Sequence, residues 1–193
     1  VFPVLLGLSA LYFFAYFQRI GVPGMIFDEL QTDLKLSAGG VALLGAMYLY
    51  VYGVMQFFVG VWSDRQGFGR VFLIGSIALA VGSVILPLCR RPEGLYAARA
   101  LVGFGASLLF ICLVKGIHHL FDPRHFAIVL SLAQFLGFWG GLMATYPLAA
   151  MTHALGWRGA LLIAGGVTAL LTVALGVLLR RRGLLAVPAP AAV

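Results

Sequence analysis

The sequence predicts an all-α integral membrane protein with six spanning helices, and three observations predict it. Of 193 residues, 62% are hydrophobic and only 10% charged, with a mean hydropathy of +1.05, far from the mixture of a soluble domain. Six apolar runs each reach the roughly 20 residues that a bilayer core requires. The basic residues, which bring the net charge to +7, gather at the ends of those runs, where they report topology rather than affinity for nucleic acid.

The first run covers approximately Phe2 to Phe27 and is followed by the acidic connection Asp28 to Asp33. It opens at Val1 without a basic flank or a small-residue cleavage site, so it reads as a first span and not as a secretory leader. The missing initiator residue reads as part of a longer chain. Within this run Gly21-Val22-Pro23-Gly24 should bend or end the helix, because proline removes a backbone donor. The second run, about Ala38 to Trp62, ends at a polar knot, and the third, about Val71 to Leu88, meets Cys89-Arg90-Arg91. The fourth extends from about Leu95 to Ile117, ahead of the polar segment His118 to His125. The fifth covers about Phe126 to Met151 and is closed by Thr152 to Arg158; the sixth covers about Gly159 to Leu179 and stops at Arg180-Arg181-Arg182. Residues 1–182 therefore form one six-helix transmembrane domain, and residues 183–193, rich in Ala and Pro, are expected to be a disordered cytoplasmic tail.

Alternate connections sort by charge. Arg65, Arg70, Lys115, Arg124 and Arg180 to Arg182 fall on one side, and Lys35, Arg90, Arg91 and Arg158 fall on the other with most of the acids. The positive-inside rule places the first set, and both chain ends, in the cytoplasm of a multi-pass cell-membrane protein. Cys89 and Cys112 should stand too far apart along their helices for a disulfide.

Polar side chains inside the runs are the candidate site. Tyr12, Tyr16 and Arg19 share one helical face, as do Tyr48, Tyr52 and Gln56 on the second run. The two stripes can line an aqueous cavity in which Arg19 attracts an anion and the tyrosines orient it. In the alternative reading Arg19 snorkels to the outer surface and the tyrosines form an interfacial belt. Gln134 on the fifth run joins the candidate substrate contacts.

The polar knot Gly60-Val61-Trp62-Ser63-Asp64-Arg65-Gln66-Gly67-Phe68-Gly69-Arg70 has to be a short loop at a membrane surface. It resembles the loop between the second and third helices of major facilitator superfamily transporters, although only Arg70 stands where two basic residues are usual. Arg99-Ala100-Leu101-Val102-Gly103-Phe104-Gly105-Ala106 is similar to the fourth-helix motif of that superfamily, with Val102 where a Gln is common. Gly156-Trp157-Arg158 resembles a connection frequent there. The segment from Tyr48 to Gln56 looks like second helices of its organic anion and sugar phosphate branch.

The resemblance implies the N-terminal half of a twelve-helix transporter, built as two inverted three-helix repeats, with substrate held between this half and a second one. It implies alternating access, with Gly60, Asp64, Arg65, Gly67 and Arg70 as gating residues. For Arg99 it implies a role in proton coupling or in a structural polar network; a surface anchor is the other reading of that residue. With Arg19 it favours a small organic anion as substrate. Coupling to protons stays open, because no carboxylate falls inside a span of this half. The alternative is a half-size membrane protein that acts as an assembly subunit without transport of its own.

Other chemistry is poorly supported. His118, His119, Asp122 and His125 could be drawn as a metal cluster, but Pro123 breaks the helix that would align them and a solvated basic loop explains them, so no metal is assigned. Gly105-Ala106-Ser107-Leu108 resembles the serine motif of intramembrane proteases, yet no histidine base occurs from Arg158 onward, so no enzyme is expected. No phosphate loop or Cys-x-x-Cys pair calls for a cofactor. The expected partners are a small-molecule substrate, the lipid bilayer and a second six-helix half.

Overall fold

The computed structural model describes residues 1–186. Seven α-helices follow one another: α1 (Phe2–Gly24), α2 (Phe27–Leu34), α3 (Ala38–Gln66), α4 (Phe68–Leu88), α5 (Pro92–Leu120), α6 (Phe126–Met143) and α7 (Tyr146–Arg181). All but α2 are long and apolar enough to cross a membrane. Among the described residues there is no β-strand. The helices form two inverted three-helix repeats, so that α3 packs on α5 as α6 packs on α1, with α4 seated between α5 and α7.

Helix boundaries follow local chemistry and correct the sequence reading in four places. The acidic connection Asp28 to Asp33 is not a loop but the short helix α2, with Asp28 and Glu29 in its first turn, where carboxylates oppose the positive end of the backbone dipole. The polar knot shrinks to one residue. α3 continues through Ser63, Asp64, Arg65 and Gln66, and Gly67 at φ 83° makes the whole turn into α4, a conformation that glycine adopts without a Cβ clash. The fifth run is divided: α6 stops at Met143, because Pro147 has no N–H for the Met143 carbonyl, and the chain restarts with proline in the first turn of α7. α7 is itself interrupted at Gly156, whose φ of 72° redirects Trp157 and Arg158.

Two apolar clusters hold the bundle. One surrounds Leu8, Leu11, Phe72, Leu109, Leu113 and Leu179, toward the end that carries Asp64. The other surrounds Val22, Leu30, Leu44, Leu95, Trp157 and Leu161, toward the end that carries Asp33. Small residues set the closest approaches: a Cβ on Gly103 of α5 would lie 2.7 Å from the carbonyl oxygen of Tyr48 on α3, the kind of contact that brings membrane helices together without a hydrophobic drive. Phe57 and Phe58 on α3 and Ile128, Leu132 and Phe135 on α6 point outward from the bundle, on helices whose backbone is satisfied internally.

After α7 the chain closes in a turn, with the Leu184 N–H donating to the Leu179 carbonyl at 3.0 Å and Gly183 N–H to Arg180 at 3.1 Å. Gly183 has φ 69°, so this is a Schellman cap. Residues 183–186 of the expected tail thus form a turn; the remainder of that expectation lies outside the described residues.

Candidate functional site

α1 is broken one turn before its end. Val22 has φ −116° and ψ 123°, and Pro23 brings no N–H to the carbonyl of Arg19, so backbone oxygens there lack their helical partners. Arg99 of α5 supplies donors instead. Its Nη1 donates to the Gln18 carbonyl at 2.9 Å, and its Nη2 donates to the carbonyls of Arg19, at 3.4 Å, and Val22. The same guanidinium carbon lies 4.6 Å from the centre of the Tyr48 ring on α3. Arg99 is 1% exposed, which rules out the surface anchor. A buried cation persists at membrane depth only when carbonyls, rings or acids receive it, and here carbonyls and a ring do.

Arg19 stands close to this knot, since Tyr52, which stacks on the Tyr48 ring beside Arg99, also faces its guanidinium. It is exposed, and its guanidinium carbon stands 5.8 Å from the Tyr16 ring and 5.7 Å from the Tyr52 ring. Each such cation-ring contact is worth about 0.5–1 kcal/mol at an exposed site. The two expected stripes do meet. Tyr12 and Tyr16 are edge to face at 5.2 Å, Tyr48 and Tyr52 are stacked at 5.9 Å, and Arg19 joins the pairs. Phe110 of α5 and Phe138 of α6, which the sequence reading did not select, extend the aromatic wall against Tyr12 and Tyr16. Their only sequence signal is a helical position facing the same interior, shared with many core phenylalanines. Gln56 turns aside to donate to the Ser107 carbonyl at 3.4 Å. Gln134 stands on α6 with its buried Oε1 unpartnered. The two ion pairs among the described residues join Lys115 to Asp64 and Arg158 to Asp33, so the charge of Arg19 has no acid beside it.

At the Asp64 end, Lys115 is the centre of a second polar knot. Its Nζ donates to Asp64 Oδ1 at 2.6 Å, to Ser63 Oγ at 2.7 Å and to the Gly60 carbonyl at 2.9 Å. From sequence Lys115 reads as a topology residue only; the packing of α3 on α5 gives it this role, and a lone lysine in the last turns of an apolar helix was the available signal. Gly60 takes part through its carbonyl. Arg70 donates to Gln66 Oε1 at 3.1 Å across the Gly67 turn. Arg65 is exposed and stands apart from these bonds.

The Asp33 end has its own clasp. Trp157 Nε1 donates to Asp33 Oδ2 at 2.7 Å, and Arg158 Nη1 donates to the carbonyls of Pro87, at 2.6 Å, and Cys89, at 2.8 Å. Gly156-Trp157-Arg158 thereby ties α2 and the end of α4 to α7. Burial raises the pKa of the Cys89 thiol there, with Arg158 opposing the shift. Near the Asp64 end, His119 and His118 pack on Phe68 and Phe126, and Asp122 accepts from the Arg124 N–H.

Six helices long and apolar enough to cross a membrane define a multi-pass membrane protein. A sequence profile of the Major Facilitator Superfamily matches residues 8–192, and the chain belongs to that superfamily. It is 24% identical over 166 residues to the uncharacterized transporter YybO of Bacillus subtilis, covering 86% of this chain and 38% of that protein. It is 21% identical to the probable sulfoacetate transporter SauU of Cupriavidus necator, again covering 86% of this chain and 38% of that protein. The crystal structure of the peptide transporter POT in complex with sulfate superposes with a TM-score of 0.82 at 18% identity, over 97% of this chain and 40% of that one. The match thus spans about two-fifths of the length of each of these three proteins, and the last likeness is one of fold.

Proposed function

We propose that the chain forms one half of a secondary active transporter that moves a small organic anion across the cell membrane by alternating access. The observation that carries the reading is Arg19, exposed between the rings of Tyr16 and Tyr52 with no carboxylate paired to it. A guanidinium so placed offers a planar fork of donors to a carboxylate or sulfonate, while Tyr16 and Tyr52 present rings to an apolar body, Tyr12, buried and stacked on Phe110, backs them, and Gln134 offers an amide. The name of the relative SauU points to the same class of substrate. A second six-helix half supplies the opposite wall, and both ends of this half lie in the cytoplasm with the basic Asp64 end.

In this reading the Asp64 corner is the gate. Lys115 holds Gly60, Ser63 and Asp64 of α3 in one state, Gly67 and Arg70 shape the turn, and exposed Arg65 meets the other half or the lipid headgroups. Arg99 couples α1 to α3 mechanically, because it grips the break of α1 and the ring of Tyr48 at once.

The test is binding of sulfoacetate and a panel of small carboxylates to the full polypeptide and to Arg19→Ala, beside thermal unfolding of both. Loss of a charge-assisted contact predicts a drop in affinity of about 10- to 100-fold with the fold intact. Unchanged anion affinity in folded Arg19→Ala would overturn the anion site.

A further inference from the structure

The turn after α7 lies on the corner between α3 and α4. Gly183, Leu184 and Ala186 form one wall of a cavity of about 480 Å³ whose other walls carry Ser63, Asp64 and Lys115. The approach is closest at Gly69, in the first turn of α4: a Cβ there would overlap the Leu184 carbonyl oxygen and stand 3.1 Å from its carbon. Gly69 is buried in a regular helix and its φ is not positive, so this approach alone calls for glycine. Its neighbour Phe68 meets α5, where a Cβ on Gly116 would lie 3.0 Å from the Phe68 ring and the His119 ring stands 5.5 Å away. The first turn of α4 is thus held between α5 and the turn that follows α7.

The turn itself is held in a different way. Its hydrogen bonds return to its own segment: Leu184 N–H donates to the Leu179 carbonyl at 3.0 Å, Gly183 N–H to Arg180 at 3.1 Å and Ala186 N–H to Gly183 at 3.3 Å. Among the described residues no backbone bond joins it to α3, α4 or α5. Leu184 and Leu185, both partly buried, pack on the apolar cluster that contains Leu109 and Leu113. A segment kept down by two leucines beside an open cavity belongs to the low-stability end of a fold. Gly67, two residues before Gly69, is the whole link between α3 and α4. The placement of the first turn of α4 therefore fixes where α3 ends, and with it whether Asp64 meets Lys115.

We propose that residues 183–186 are a releasable strap. Packed down, they clamp the first turn of α4 on α5 and keep the Asp64 corner closed on Lys115. Lifted, they free the Gly67 turn to pivot and the corner to open. A pull on the chain beyond Ala186 is the motion that lifts them. The strap goes beyond the gate reading, because it concerns what holds the corner and stands whether or not the corner gates transport.

Cys112 is a built-in reporter. It is 0% exposed and lies one turn before Gly116 on the same face of α5, behind the Phe68 contact. Cys89, half-buried at the Asp33 end, serves as the reference. The test is the rate at which methyl methanethiosulfonate modifies each thiol of the full polypeptide in detergent, read by peptide mass. Leu184→Ser with Leu185→Ser should raise the Cys112 rate about tenfold and leave Cys89 unchanged. Gly69→Ala should do the same, because its methyl displaces the Leu184 carbonyl although alanine otherwise favours a helix. Hydrogen exchange of the Gly67 amide, bonded to the Ser63 carbonyl at 3.0 Å, should rise with it. Unchanged Cys112 modification in both variants would overturn the strap, as would an equal rise at Cys89, which reports general loosening. Faster Cys112 modification with no change at Gly67 would also overturn it, since α4 would then lift without moving the corner.

Discussion

Arg99 stands in for the backbone amide that Pro23 lacks. Its guanidinium reaches from α5 to the Arg19 carbonyl, which proline leaves without a helical donor, and to the neighbouring carbonyls of Gln18 and Val22. The break in α1 and the buried cation are therefore one feature, contributed by residues distant in sequence.

Arg99→Met should destabilise the protein by about 2–5 kcal/mol, because it leaves buried carbonyls unsatisfied. Pro23→Ala returns an amide to α1, so the double variant should recover about 1 kcal/mol of that loss. Denaturant unfolding of the two single variants and the double would measure the coupling. Strict additivity would mean that the proline does not create the need for the arginine.

Tyr52→Leu should weaken anion binding by a few fold, because Arg19 loses one of its two ring contacts, worth about 0.5–1 kcal/mol. Tyr52→Phe keeps the ring face and should bind nearly as the parent does. A titration in which Phe and Leu behave alike would show that the hydroxyl, and not the ring, matters.

Lys115→Ala should cost more stability than Asp64→Asn. The carboxylate is 72% exposed, so the ion pair alone contributes about 0–1 kcal/mol, while Lys115 also bonds Ser63 Oγ and the Gly60 carbonyl. Thermal unfolding in detergent ranks the two. Salt should erase most of the Asp64 effect and little of the other.

Two glycines of the same segment should respond in opposite senses. Gly67 sits at φ 83°, so Gly67→Ala should destabilise by about 1 kcal/mol or more. A Cβ on Gly60 meets nothing within 4 Å, and Gly60→Ala in a helix interior should stabilise by about 0.5–1 kcal/mol. Matched melting curves decide both.

Much of the scaffold was legible because membrane insertion leaves a one-dimensional record. Run length, charge at run ends and the resemblance of the Arg99 and Gly156-Trp157-Arg158 segments are local in the chain, and they determined the six spans and the superfamily. Helical periodicity likewise put Tyr12, Tyr16 and Arg19 on one face and Tyr48, Tyr52 and Gln56 on another. Tertiary structure alone decided what those faces meet. It stood Arg19 between two tyrosines of different helices, turned Gln56 away to Ser107, and gave Lys115 the carboxylate of Asp64. It also decided that the polar knot is mostly helix, since Ser63 through Gln66 are satisfied within α3 once Gly67 makes the turn. The physical reason is common to all of these. A side chain's helical face follows from its own sequence position, but its partner depends on how helices cross, and crossing is set by close approaches such as Gly103 on Tyr48 that no single segment encodes.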